Sequence, residues 1–147
     1  MNKNKQVGSL TELQIMTEFV RLGYNVASPY GDCERYDFIA DIKGHLIRVQ
    51  CKTPRSYENG NSFDIDLRKS HYIGRGELTT TYYENDEIDY FATYYKGRAY
   101  LIPVEECNSK KRLRLVPTSK GQTSYVNFAK DYELEKVVNR LLEEAIK

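Results

Sequence analysis

Asp37, Gln50 and Lys52 carry a carboxylate, an amide oxygen and an ammonium close together in the chain. Whether they meet depends on the hairpin that must turn at Lys43-Gly44. A two-residue loop there pairs Ile42 with His45, Ala40 with Ile47, Phe38 with Val49 and Asp37 with Gln50. Directly opposed residues project to the same side, with Cβ atoms about 5 Å apart. One face then holds Tyr36, Phe38, Ala40, Ile42, Ile47, Val49 and Cys51, apolar enough for a core. The other holds Asp37, Asp41, Arg48, Gln50 and Lys52. A four-residue loop keeps this register; a three-residue loop shifts it by one and mixes the faces, so it is rejected.

The polar face suits a hard divalent cation. Magnesium takes oxygen ligands in an octahedron and keeps several waters. Asp37 offers a charged oxygen and Gln50 a neutral one, while Lys52, about 7 Å beyond Gln50, can orient a metal-activated water and offset charge on an attacked phosphate. Asp41 lies about 13 Å from Asp37 along the strand, too far to share one ion. A blander reading stands beside this one: a solvated hairpin face on which Asp37 pairs with Arg35 or Arg48. Cys51 points to the core and is not read as a nucleophile. Glu12 is a further candidate. Ser9-Leu10-Thr11-Glu12 fits a helix capping box, and Glu12 also borders the stripe of Gly8, Ile15 and Met16, where a carboxylate would lie near the sheet. Cap and ligand are both open.

The elements that must position these groups follow from pattern. Residues 7–22 are expected to be a helix stopped by Gly23. Short strands are expected over Tyr24–Ser28, Arg35–Ile42, His45–Lys52 and Ser62–Leu67. Residues 68–87 are ambiguous, interrupted by Gly74 and Gly76. A second hairpin, Ile88–Tyr95 with Arg98–Val104, turns on Lys96-Gly97. A strand over Lys111–Val116 and an amphipathic helix over Lys130–Ile146 complete an α+β order.

The 147 residues fit one domain, 1–147. The three cysteines have no paired spacing and the two histidines are scattered, which argues against zinc and for a reducing, cytoplasmic compartment. No stretch approaches membrane-spanning length. A net charge of +1 is low for a nucleic-acid binder, but the charge is segregated. Residues 96–120 are strongly basic, and 53–87 and the last helix are net acidic.

Taken in order, these residues resemble the PD-(D/E)XK nuclease superfamily. The match runs through Gly8-x-x-x-Glu12, Leu22-Gly23-Tyr24-x-Val26, Pro29-Tyr30-Gly31-Asp32, Arg35-Tyr36-Asp37 and Val49-Gln50-Cys51-Lys52-Thr53, then Asp89-Tyr90-Phe91-Ala92 and Tyr100-Leu101-Ile102-Pro103. Within the superfamily it is most similar to small bacterial homing endonucleases encoded in group I introns. The resemblance implies an αβββαβ core with a mixed central sheet and a C-terminal helix. It further implies hydrolysis of double-stranded DNA with Mg2+, for which Mn2+ can substitute, a homodimer or homotetramer, and a bacterial cytoplasm, on the nucleoid when bound. The catalytic set becomes Glu12, Asp37, Gln50 and Lys52, with Asp37, Gln50 and Glu12 as metal ligands. Two departures stand out: Tyr36 occupies the place of the motif's proline, and Gln50 replaces its acid, as in a QxK variant.

Lys110, Lys111, Arg112, Arg114 and Lys120 are candidate phosphate contacts, with a charge-protected edge strand as the plain alternative. Lys69 and Arg75 join them, because the adjoining glycines allow a loop to follow a groove. Tyr82-Tyr83 and Tyr94-Tyr95 are read as packing. Two other functions compete. A structure-selective Holliday-junction resolvase of the same superfamily is disfavoured by the low net charge. A catalytically inert DNA-binding module is disfavoured by the full set of Glu12, Asp37 and Lys52.

Overall fold

The computed structural model describes residues 2–31, 35–73, 77–83 and 87–146, with backbone alone for 69–73 and 77–82. Helix α1 spans Lys3–Arg21 and starts ahead of the expected Val7. Asn2 is its N-cap, and the Asn2 side chain accepts the Asn4 N–H at 2.8 Å. Ser9 therefore lies inside the helix, and the capping-box explanation of Glu12 falls away. The helix stops at Gly23 as expected. Gly23 adopts φ +90°, its N–H donates to the Val20 carbonyl, and the Tyr24 N–H donates to the Phe19 carbonyl. That pair of bonds is the Schellman closure, which favours glycine at its left-handed position.

Strands β1 (Asn25–Ala27), β2 (Phe38–Ile42) and β3 (His45–Cys51) form an antiparallel meander. The register is the one the loop arithmetic required: Phe38 opposes Val49, Ala40 opposes Ile47 and Ile42 opposes His45. Lys43 and Gly44 both have positive φ, the twist a two-residue hairpin turn needs. Strands β4 (Arg55–Tyr57), β5 (Ser62–Asp66), β6 (Arg68–Ile73) and β7 (Glu77–Tyr82) follow. The region left ambiguous by sequence thus pairs as a β6–β7 ribbon. Arg75 and its flanking glycines, Gly74 and Gly76, lie outside the described residues. Next come β8 (Tyr90–Tyr95), β9 (Arg98–Pro103), β10 (Lys110–Arg114) and helix α2 (Leu134–Ile146). Residues 130–132, expected in the last helix, belong instead to a 3-10 turn, and extended Glu133 bridges to Tyr100 before α2 begins.

The main sheet runs β1-β2-β3-β8-β9, with β3 and β8 parallel and the other pairs antiparallel. The connection from β3 to β8 passes through strands where the resemblance implied a helix. Both helices cover one face: Ile15 and Phe19 of α1 and Leu134, Val137 and Val138 of α2 pack with Phe38, Ala40, Ile42, Ile47 and Val49. On the opposite face of β8 and β9, Phe91, Tyr100 and Ile102 meet Phe63, Ile65 and Leu113 of a second sheet, ordered β10-β5-β4. Tyr36 packs into this second cluster, not with Phe38. It precedes β2, so strand alternation does not fix its direction. No helix among the described residues is long and apolar enough to cross a membrane.

Candidate active site

Asp37 stands one residue before β2. Its N–H donates at 2.8 Å to the carbonyl of Val49, the residue that Phe38 already opposes, so the paired register ends at Phe38 and Asp37 stands beside it against Val49. Its Oδ2 accepts the Cys51 N–H at 2.7 Å. Gln50 faces Phe91 across the parallel β3–β8 pair. Lys52 leaves the end of β3 under tight control. Its N–H donates to the Ala92 carbonyl at 2.8 Å, and its own carbonyl accepts the hydroxyl of the fully buried Thr93 at 2.7 Å. The Lys52 ammonium donates to the Arg68 carbonyl at 3.1 Å and sits 4.9 Å from the Tyr83 ring centre, a cation–π distance. Phe91 meets Tyr83 edge-on and holds that ring.

Glu12 reaches the same place from α1. Glu12, Asp37, Gln50 and Lys52 together line one cleft of about 340 Å³, joined by Gly8 and Cys51. A Cβ at Gly8 would meet nothing within 4 Å, so the space beside it is open.

The charges in this cleft act on one another. Burial raises the Asp37 pKa above the usual aspartate value, against the lowering effects of the Cys51 N–H and of Lys52. Burial also raises Glu12, and the Asp37 carboxylate raises it further. The Cys51 thiol is pushed well above its ordinary value, first by burial and then by Asp37 and Glu12. It stays protonated at neutral pH, consistent with a packing role. Tyr83 is pushed up to about 12 by burial, with Asp37 adding to the effect. Asp37 is thus the electrostatic centre of the site.

The donor set is two carboxylates and one amide oxygen. Among the described residues no three His, Cys, Asp or Glu side chains cluster to hold a metal; the cleft offers two carboxylates with the amide oxygen of Gln50 beside them. Two carboxylates that burial raises, one of them raised further by the other, gain from a shared divalent cation, and all three donors are the hard oxygens that magnesium prefers. The residues present fit such an ion.

The neighbours offered as bland partners for Asp37 have partners of their own. Arg35 pairs with Glu87 at 2.7 Å, and Arg48 pairs with Asp89 at 3.1 Å. Asp41 accepts the Gly44 N–H at 2.8 Å and serves the turn. Tyr83, read from sequence as packing, does pack, but it also carries the Lys52 ammonium. Nothing in its local sequence signals this, because the contact joins residues far apart in the chain.

The candidate phosphate contacts divide. Lys110, Arg112 and Arg114 share the outer face of β10, whereas Lys111 projects the other way, 5.2 Å over the Tyr132 ring and donating to the Glu106 carbonyl. Lys120 is exposed in the loop after β10. Lys69 is in β6, opposite Thr81, with its side chain outside the described set, as is Arg75 entirely.

No curated protein sequence matches the chain. Among solved structures, the bacterial homing endonuclease I-Ssp6803I is similar over 99% of this chain and 98% of its own, with a TM-score of 0.76 and 23% identity, a likeness that shows the fold. The family model described as PD-(D/E)XK endonuclease matches residues 2–135. On that match the chain belongs to the PD-(D/E)XK endonuclease family.

Proposed function

We propose that this nuclease is a sequence-specific, metal-dependent endonuclease of the homing type that hydrolyses phosphodiester bonds in double-stranded DNA. The observation that carries the reading is the single cleft lined by Glu12, Asp37, Gln50 and Lys52. Asp37, Gln50 and Glu12 are the proposed ligands of Mg2+, with Mn2+ able to substitute. When bound, such an ion lowers the pKa of a coordinated water and offsets charge on the attacked phosphate. The chain's own groups do the positioning. The Cys51 N–H fixes one Asp37 oxygen and leaves the other for the ion. The Arg68 carbonyl and the Tyr83 ring hold the Lys52 ammonium by uncharged, electron-rich groups, contacts that do not neutralise it. Lys52 thus brings positive charge to the scissile phosphate and orients the attacking water.

The test is cleavage of a genomic library beside branched DNA, with magnesium and with excess chelator. Discrete double-strand cuts that need magnesium are expected, with calcium supporting binding only. Cutting confined to branched DNA would move the function to a junction resolvase. Full cleavage in chelator would remove the metal from the reaction.

Cutting both strands takes two such sites, so we propose a homodimer or homotetramer. The outward side of α1 supports this: Leu10, Leu13 and Val20 are 55% to 61% exposed, on the side away from the buried Thr11, Ile15 and Phe19. An apolar stripe on the solvent side of a helix is a surface for another chain, and a second copy meets the need for two sites. Sedimentation at micromolar concentration should show a dimer or larger. A monomer with and without DNA would contradict this.

A further inference from the structure

Asp64 is the one fully buried charged residue among those described. A buried carboxylate needs compensation. It receives more than one partner: Arg55 Nε lies 3.0 Å away, Arg112 Nη2 3.4 Å and Lys110 Nζ 3.7 Å. One cation balances its charge, so three leave an excess. Their side chains remain about half exposed, at 52%, 43% and 50% for Arg55, Arg112 and Lys110. The charge in excess therefore faces water while the carboxylate lies hidden beneath it.

Strand register explains the convergence. Asp64 of β5 is directly opposed by Arg55 of β4 on one side and by Arg112 of β10 on the other. In the next row Ser62 is flanked by Tyr57 and Arg114. The alternate residues Phe63, Ile65 and Leu113 point into the core. The outer face of this sheet is thus polar throughout. The Arg112 guanidinium stacks 4.2 Å from the Tyr57 ring centre, which fixes its plane, and Arg114 pairs with Glu58 at 2.7 Å. Counting Arg55, Lys110, Arg112 and Arg114 against Asp64 and Asp66 gives the sheet's outer face a net +2, on a chain whose total is +1.

The face adjoins the cleft. The Lys52 ammonium donates to the Arg68 carbonyl, the Arg68 guanidinium pairs with Asp66, and Asp66 opposes Lys110. From Lys110 to Arg114 the strand runs about 13 Å. That matches roughly four nucleotides of duplex at about 3.4 Å per phosphate along one strand.

We propose that the outer face of the β10-β5-β4 sheet, centred on Arg55, Lys110 and Arg112 around buried Asp64, grips the DNA phosphates beside the active cleft. The inference rests on the nuclease reading above and deepens it. Arg55 enters as a phosphate contact, and Asp64 is a positioning residue that sets the spacing of the cations. Lys111, turned to the opposite side of its strand, takes no part in this face.

The experiment is duplex binding in calcium across a series of salt concentrations, with the full-length chain. Arg55→Gln and Arg112→Gln should each weaken binding on every sequence alike and lower the slope of log affinity against log salt by about 1. Lys136→Gln, on the exposed side of α2, should leave the slope unchanged. Removing one partner of a buried carboxylate can impair folding, so Arg55→Gln/Asp64→Asn is the companion variant. It deletes cation and anion together and should show the same loss of slope. If wild type binds and cuts DNA but the slopes of the folded variants equal its own, this inference fails alone. If wild type binds no duplex, the nuclease reading fails with it.

Discussion

Asp37→Ala and Lys52→Ala should each reduce cleavage by about a thousandfold or more while the chain still folds and binds DNA. Both residues are only half-buried and line the cleft, so their truncation opens no core cavity. Asp37→Ala does strip the Cys51 N–H of its acceptor, and Asp37→Asn is the better control because an amide oxygen can keep that bond. The sign of the stability change is set by the raised pKa. An aspartate whose folded value lies above its unfolded one opposes folding when ionised. That penalty is absent at low pH and grows as pH rises from the ordinary carboxylate value through the raised folded value. At neutral pH, without metal, Asp37→Asn should therefore melt no lower than wild type. Single-turnover cleavage in magnesium and gel-shift binding in calcium separate chemistry from grip. Near wild-type turnover in Asp37→Ala or Lys52→Ala would overturn the assignment.

Gln50 should respond to charge and to the loss of its oxygen in opposite ways. Gln50→Glu adds a third carboxylate to a cleft where burial already raises Glu12 and Asp37. It should retain measurable cleavage and shift the magnesium requirement downward, because a charged ligand holds the ion more tightly. Gln50→Leu keeps similar bulk but has no oxygen to offer, and should lose cleavage by about a hundredfold. A magnesium titration of both variants checks this. Two silent substitutions would mean that Gln50 is a polar residue on a strand face and no ligand.

Local rules made part of this site legible. The Lys43-Gly44 turn and the alternation on either side of it fixed the register from Ile42–His45 to Phe38–Val49, whereas the expected opposition of Asp37 and Gln50 falls beyond the last paired residues. Glu12 was ambiguous because Ser9 resembles a cap. Only the true start of α1 at Lys3, capped by Asn2, shows Glu12 to be a mid-helix residue aimed at the cleft. Tyr36 and the strand-built connection from β3 to β8 were not readable. The first lies outside the alternating strand, and the second depends on tertiary packing. The cation row around Asp64 was half visible as a basic strand. Its partner Arg55 belongs to β4, and sequence spacing does not reveal pairing across a sheet.

The most direct measurement is the position of a bound ion. Crystals of the wild-type protein soaked in manganese should give an anomalous peak in the cleft about 2.1 Å from an Asp37 carboxylate oxygen and from the Gln50 amide oxygen, with Glu12 within reach. A fully occupied peak elsewhere, with Asp37 and Gln50 left uncoordinated at saturating manganese, would contradict the metal-dependent site.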